Sequence, residues 1–488
     1  MSRFNNVNVV FGSARNVGAV AVTETPGVKP AVGDPPQGTG ARRKPAASPI
    51  LQLNPGDVTL GQKVGFLILC IYMISGYANE FAIRALGAKA YISTVSLAIL
   101  PIAFVVSGNV LRGLRDTMGR LWVGFLVWMC VAVPFSVWKG GSVTLVKDYT
   151  SHAWIFLFLI AAFAVSLKHC RWLMGVLIAA DVLLLIDCAV TAHTTNGRLE
   201  ITGSVFFSNA NDLSLQLILA ITQFFYLLFQ KGVWLRVLAV VGITTALVYS
   251  LQTGSRGGAI AILTLVAVIF LIGNQKLLVL ALVLVAGAAA ILIVPSAAFH
   301  RISLITGDEE IVNTADLSAA GSVEQRIALL RQSVEFTITH PLLGVGPGQF
   351  AVAVDGEAQK KGERSAWLGT HNSYTEVSSE CGIPAFLFYI GIVGMCLLSN
   401  LRIYRRSVNQ PQLRQLNALA FCTFCGSVVF AVATFFYHIA YTSYLPVIAG
   451  MTVALRLITD QSLWGSRRVA VVMGSHRGLP GQLPQSAA

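Results

Sequence analysis

The chain has 488 residues, of which 55% are hydrophobic and only 12% charged, and its formal net charge is +13. A soluble protein carries about twice that charged fraction, so the composition excludes a soluble globular domain. The basic residues are dispersed between apolar runs rather than massed on one segment, which excludes a nucleic-acid footprint.

Residues 1–59 are rich in Gly, Pro, Ala and Thr and lack hydrophobic periodicity. They are read as a disordered cytoplasmic tail. The first apolar run starts too late for a secretory signal peptide. From residue 60 onward, runs of about 20 apolar residues recur, each long enough to cross a bilayer. The spans are predicted near 61–80, 90–108, 119–138, 152–168, 172–191, 212–230, 234–251, 256–273, 276–296, 377–400, 414–436 and 440–458. The fold class is therefore an all-α polytopic membrane protein of about 12 transmembrane helices. Nine spans fill 60–296, three fill 377–460, and 461–488 forms a second tail. The pairs 234–251/256–273 and 414–436/440–458 read as tight hairpins.

Short loops carry the orientation signal. With the N-terminus inside, Arg112, Arg115, Arg120, Lys168, Arg171, Lys231, Arg236, Lys276, Arg402, Arg405, Arg406 and Arg414 fall on the inner side. Both termini are then cytoplasmic. These flanking cations imply contact with anionic membrane lipids. Cys422 and Cys425 form a CxxC inside an apolar helix and are read as small packing residues. Asp181 falls near the middle of the fifth span. It is read either as functional or as paired within the bundle.

One polar loop, 297–376, is too long to be a connector and faces outward. Its acidic run, Asp308-Glu309-Glu310, is read as a solvated turn, and no metal site is expected. Four segments on the outer side carry candidate chemistry. Thr253-Gly254-Ser255-Arg256-Gly257-Gly258 puts an arginine on the side opposite to the basic bias. Its fork of donors suits phosphate oxygens, and the helix start after it favours an anion. The same residues also fit a tight turn with a snorkelling arginine. Glu324-Gln325-Arg326 opens a predicted amphipathic helix with apolar positions 327, 330, 334 and 338. Arg326 near its start opposes the helix dipole, though a solvated surface charge fits too. His340-Pro341-Leu342-Leu343-Gly344-Val345-Gly346-Pro347-Gly348 ends that helix and enforces a defined turn. Thr370-His371-Asn372-Ser373-Tyr374 leads into the next span. There His371 suits a general base, and Thr370 or Asn372 suits a helix cap.

Taken in order, Ser255-Arg256-Gly257-Gly258, Arg326, the His340–Gly346 turn and His371-Asn372-Ser373-Tyr374 resemble the O-antigen ligase and polymerase family of bacterial membrane glycosyltransferases. Ser208-Asn209-Ala210-Asn211-Asp212-Leu213 is similar to an Asn-rich element upstream in many members. The resemblance covers about 200–400 and implies a GT-C-like architecture with a periplasmic catalytic loop containing short helices. It implies an enzyme of the bacterial inner membrane that takes a glycan from undecaprenyl pyrophosphate and passes it to a sugar hydroxyl, without metal or other cofactor. In that chemistry Arg256 and Arg326 hold the pyrophosphate and His371 is the base, while Ser255, Asn211, Asn372 and Tyr374 bind substrate. The acceptor is either a growing glycan, as in a polymerase of exopolysaccharide or O-antigen repeat units, or lipid A–core, as in a ligase. The polymerase is preferred. A polysaccharide or lipid-linked glycan flippase is the reading from another class, but no inverted repeat or paired broken helices support it.

Overall fold

The structure, a computed structural model, describes residues 58–87, 91–195, 197–201, 209–273, 314–365 and 367–463, with a few isolated positions between 276 and 288. The expected tail through residue 57, most of the span 276–296, Ser208, the loop residues 297–313 with Asp308-Glu309-Glu310, and the tail after 463 lie outside the described residues.

Helices dominate. In chain order they are α1 (Leu60–Leu86), α2 (Ile92–Val106), α3 (Thr117–Ala132), α4 (Lys139–Tyr149), α5 (Phe156–Phe163), α6 (Leu167–Thr191) and α7 (Ala210–Leu228). There follow α8 (Val233–Gln252), α9 (Arg256–Ile272), α10 (Thr314–Thr339), α11 (Phe350–Lys360), α12 (Ser373–Ser407), α13 (Arg414–Ala433) and α14 (Tyr444–Leu463). A short antiparallel hairpin, β1 (His193–Thr195) and β2 (Arg198–Glu200), pairs Thr194 with Leu199.

Among the described residues, 7 helices are long and apolar enough to cross a membrane, and Thr94–Val106 and Arg256–Ile272 are shorter apolar helices. The described residues are those of a predominantly helical membrane protein. The span expected at 152–168 is divided: α5 alone is short, and a π-helical turn, Thr150–Trp154, joins it to α4. Every residue of α5 is buried, because α5 packs through the middle of the bundle against α14.

Lipid is as apolar as leucine, so helices associate in it through close contact and polar links rather than by hydrophobic burial. Gly450 of α14 lets Ile160 approach so closely that a Cβ there would lie 2.9 Å from the isoleucine Cβ. Gly242 of α8 does the same for the Phe224 ring of α7. Asn400 donates to Thr452 at 2.8 Å, tying α12 to α14. Asp181 is buried and accepts from Gln216 at 2.9 Å, which pairs it inside the bundle. Cys422 and Cys425 are buried free thiols of α13.

The expected amphipathic helix is α10, and it starts well before Glu324. Arg326 is therefore mid-helix, and the dipole argument at its start does not apply. The apolar stripe is also corrected: Ile327, Leu330, Val334 and Ile338 are exposed. Leu329, Ser333 and Phe336 are buried instead, with Phe336 against Phe350. Periodicity located an apolar face but could not say which face the neighbouring chain would cover.

α12 is broken at Gly382, where φ is 81° and ψ 174°. Pro384 follows and brings no N–H. The break frees backbone groups, and the turn after α10 satisfies them. Val345 and Gly346 donate to the carbonyls of Ser379 and Glu380, both at 2.9 Å, and Ile383 donates to Pro341 at 2.8 Å. Trp128 of α3 donates to the carbonyls of Leu342 and Cys381. Glu380 completes the dock, accepting from Gly348 at 2.8 Å and Phe350 at 3.1 Å. The Gly/Pro turn is thus a plug for a helix break, made with residues on three helices.

Candidate functional site

α7, α9 and α12 all begin at one end of the bundle, and each start is capped as its sequence dictates. Asn209 accepts from the amides of Asn211 and Asp212. Ser255 accepts from Gly258 at 3.3 Å. Asn372 accepts from Tyr374 at 2.9 Å and Thr375 at 3.2 Å. Each capped start carries a partial positive charge.

Side chains then knit these starts together. The Ser255 hydroxyl donates to Asn211 Oδ1 at 3.0 Å and lies 2.9 Å from the Tyr437 hydroxyl. The same Asn211 oxygen accepts from Arg198 at 2.8 Å, and Arg198 also donates to the Thr253 carbonyl at 2.9 Å. The two glycines after Arg256 have a packing reason. A Cβ on Gly257 would sit 2.6 Å from Phe436 Cβ, and one on Gly258 would run into the Ser214 hydroxyl. Only a bare backbone lets α9 start this close to α7 and to the 434–443 connection.

Ser373 binds α12 to that same connection. Its amide donates to the Thr434 carbonyl, its hydroxyl donates to the Tyr437 carbonyl at 2.7 Å, and it accepts from Ile439 at 2.9 Å. Glu376 is buried and accepts from Ala440 at 3.1 Å. His371, just before the cap, has a left-handed backbone with φ 52°. Such a conformation is uncommon for a residue with a Cβ, and here the bonds on either side impose it. Its ring lies 5.0 Å, edge to face, from the His438 ring. Gly369 passes so close to His438 that a Cβ would fall 2.8 Å from the ring.

Charge joins these groups to α10. Burial, then His438 and Arg326, push the His371 imidazole down to about 4. His438 is also lowered, first by burial and then by Arg326, while Asp212 pulls it up. Burial raises Tyr437, and Arg326 and Arg198 counter it. Arg326 is thus near enough to act on all three.

The structure brings Ser255, Asn211, Arg326 and His371 around residues 434–443, with Arg256 opening α9 beside them. Asn372 spends its amide oxygen on the cap. Tyr374 spends its hydroxyl on the Ala431 carbonyl at 2.8 Å and stacks on Phe435. Sequence reasoning missed Tyr437 and His438, because 437–439 read as a bare hairpin link. The signal was there in Thr434-Phe435-Phe436-Tyr437-His438, a polar-aromatic run that begins in the last residues of the span predicted at 414–436. It also missed Arg198, which lies on β2 between the spans predicted at 172–191 and 212–230. No group of three or more His, Cys, Asp or Glu suited to a metal occurs among the described residues. Chemically, the arrangement offers guanidinium forks and helix starts for an oxyanion, and a neutral imidazole for a proton.

Residues 238–390 match a family model described as O-antigen ligase. The match spans α8 to the first half of α12 and contains Ser255, Arg256, Arg326 and His371; Asn211, Tyr437 and His438 lie outside it. A comparison with curated proteins found no match.

Proposed function

We propose that the chain, whose residues 238–390 match the O-antigen ligase family model, is a membrane glycosyltransferase of the O-antigen ligase and polymerase family that polymerises glycan repeat units carried on undecaprenyl pyrophosphate. The observation that carries this reading is the cluster of helix starts around residues 434–443, where Ser255 bonds to Asn211 and Tyr437 and the His371 ring lies 5.0 Å from His438, with Arg326 within electrostatic reach of His371. A lipid pyrophosphate leaving group needs cations, and guanidinium forks match its oxygens. Arg256 and Arg326 would hold the pyrophosphate. His371, kept neutral, would take the proton of the acceptor hydroxyl as its oxygen attacks the anomeric carbon. The anomeric C–O bond then breaks, and the lipid pyrophosphate leaves with the electron pair. Ser255 and Asn211 orient the site from the α9 and α7 starts.

In this reading the protein lies in the bacterial inner membrane with both termini cytoplasmic. The site faces the periplasm, and 297–376 forms the catalytic loop. The basic bias of the short loops supports that orientation. The partners are a lipid-linked donor glycan, an acceptor glycan and membrane lipids.

Glycan profiling of a deletion strain complemented with wild type, Arg256→Ala or His371→Ala tests the proposal. Normally inserted variants that fail to restore long glycan and accumulate single repeats support a polymerase. Full-length polymer stranded on undecaprenyl pyrophosphate would instead indicate a ligase acting on lipid A–core. Full complementation by both variants would overturn the mechanism.

A further inference from the structure

His438 has no part in the reaction as just described, yet its ring lies 5.0 Å, edge to face, from the His371 ring. It sits on the connection between α13 and α14, outside the matched residues 238–390. Its placement is enforced from several sides. Gly369 leaves room for the ring by having no side chain. Ser373 holds the backbone on both sides of it, through the Tyr437 carbonyl and the Ile439 amide. The backbone thus carries the ring to a place beside His371.

The charges around the two rings differ. His371 is faced by His438 and by Arg326 from α10, and both oppose a positive charge on it. His438 is faced by the same Arg326, but also by Asp212 from the first turn of α7, which favours a positive charge. Asp212 is itself oriented, accepting from the Asn209 side chain at 3.1 Å. Arg198 on β2 and Arg256 on α9 add positive potential around the adjacent Tyr437 and Ser255. Glu376 of α12 is committed to the Ala440 amide. A proton shared between two such imidazoles is held better on the ring that has the carboxylate.

We propose that His438 is the second proton carrier of the site, receiving from His371 the proton taken from the acceptor hydroxyl, with Asp212 as its counter-carboxylate. The inference rests on the glycosyl-transfer reading above. The balance is simple. The acceptor O–H bond breaks and its electron pair forms the new glycosidic bond. The proton passes to His371, then to His438, then to water, while the departing pyrophosphate keeps the electrons of the broken anomeric bond. At 5.0 Å between ring centres, rotation of one imidazole or one bridging water spans the gap. The step restores neutral His371 for the next transfer, and it puts the positive charge beside Asp212.

The test uses full-length protein in lipid vesicles and the lipid-linked repeat unit extracted from the deletion strain. kcat and KM are measured against pH for wild type, His438→Phe, Asp212→Asn and His371→Ala. Phenylalanine keeps a ring packed on His371 and Gly369 but carries no proton. The expected result is a fall in kcat of about tenfold for His438→Phe with KM little changed, restored in part by added imidazole. Asp212→Asn should show a smaller loss, relieved by the same addition. His438→Gln, polar and incapable of carrying the proton, should behave like His438→Phe. A wild-type kcat and pH profile in His438→Phe, with His371→Ala inactive, would overturn the relay alone. So would a loss that imidazole does not relieve, because a packing role predicts it. Activity in His371→Ala would overturn the base itself, and the relay with it.

Discussion

The hydroxyls of Ser255 and Tyr437 lie 2.9 Å apart although the residues are separated by 182 positions in sequence. This one contact joins the start of α9 to the connection between α13 and α14, and Asn211 extends it to α7. Since Ser255 gives its only proton to Asn211, the Tyr437 hydroxyl must donate to Ser255. Tyr437→Phe keeps the buried ring and deletes that donor. It should cost about 1 kcal/mol of stability, read as a lowered Tm in detergent. A Tm equal to wild type would show that the bond contributes nothing.

The pH dependence has a definite sign. His371 is pushed down to about 4 from an ordinary value of 6.5, by burial first and then by His438 and Arg326. Between those values the unfolded chain binds a proton that the folded chain refuses. Its contribution is complete above the ordinary value and fades as pH falls through that interval toward about 4. His438 is lowered too and acts in the same direction. Glycan transfer by a neutral His371 should therefore persist below the range of a free histidine. Arg326→Ala, by removing one repelling cation, should move the acid limb of kcat upward. An acid limb that ignores this substitution would separate Arg326 from His371.

Two glycines of α12 make an internal comparison. Gly382 has φ 81°, and a Cβ there would collide with the Leu342 carbonyl; Gly394 has nothing within 4 Å of the same position. Gly382→Ala should cost roughly 1–3 kcal/mol in backbone strain alone, with more from the clash. Gly394→Ala should be neutral or stabilising by up to about 1 kcal/mol, since alanine suits a helix interior better. Thermal melts of the two purified variants decide it. Equal effects would mean that the break at Gly382 is not held by the turn.

Glu380 uses both carboxylate oxygens on backbone amides, those of Gly348 and Phe350. Glu380→Gln leaves one amide facing an NH₂ group that cannot accept. The turn should loosen at a cost of about 1–3 kcal/mol. Faster hydrogen exchange in 344–350 would report it, and unchanged exchange would argue against the clamp.

At Arg256 the distinction between a fork and a point charge is measurable. Arg256→Ala should reduce glycan transfer by about 10²–10³-fold if the guanidinium steadies the leaving pyrophosphate. Arg256→Lys retains the charge but loses the planar pair of donors, so recovery should be partial. Full activity in the lysine variant, measured with the same lipid-linked donor, would reduce Arg256 to a simple cation.

The sequence by itself determined what local physics controls. Apolar runs of bilayer length had to be helices, because backbone groups in lipid can be satisfied only within the segment. Arg256 read as a helix start, and Thr370 or Asn372 as a cap, because an oxygen before an apolar run caps free amides; that Ser255 caps α9 came from the structure. Pro341 marked the end of α10. Tertiary structure alone decided which ends meet. Neither the break at Gly382 nor its repair by Val345 and Gly346 could be read from either segment separately. The apolar positions of α10 told nothing about which face would be covered. His438 looked like part of a link until it lay beside His371. The reason is physical: insertion into a membrane is set residue by residue, by transfer from water. Which helix then lies beside which depends on close contacts and hydrogen bonds between distant residues, with no hydrophobic gradient in the lipid to announce them.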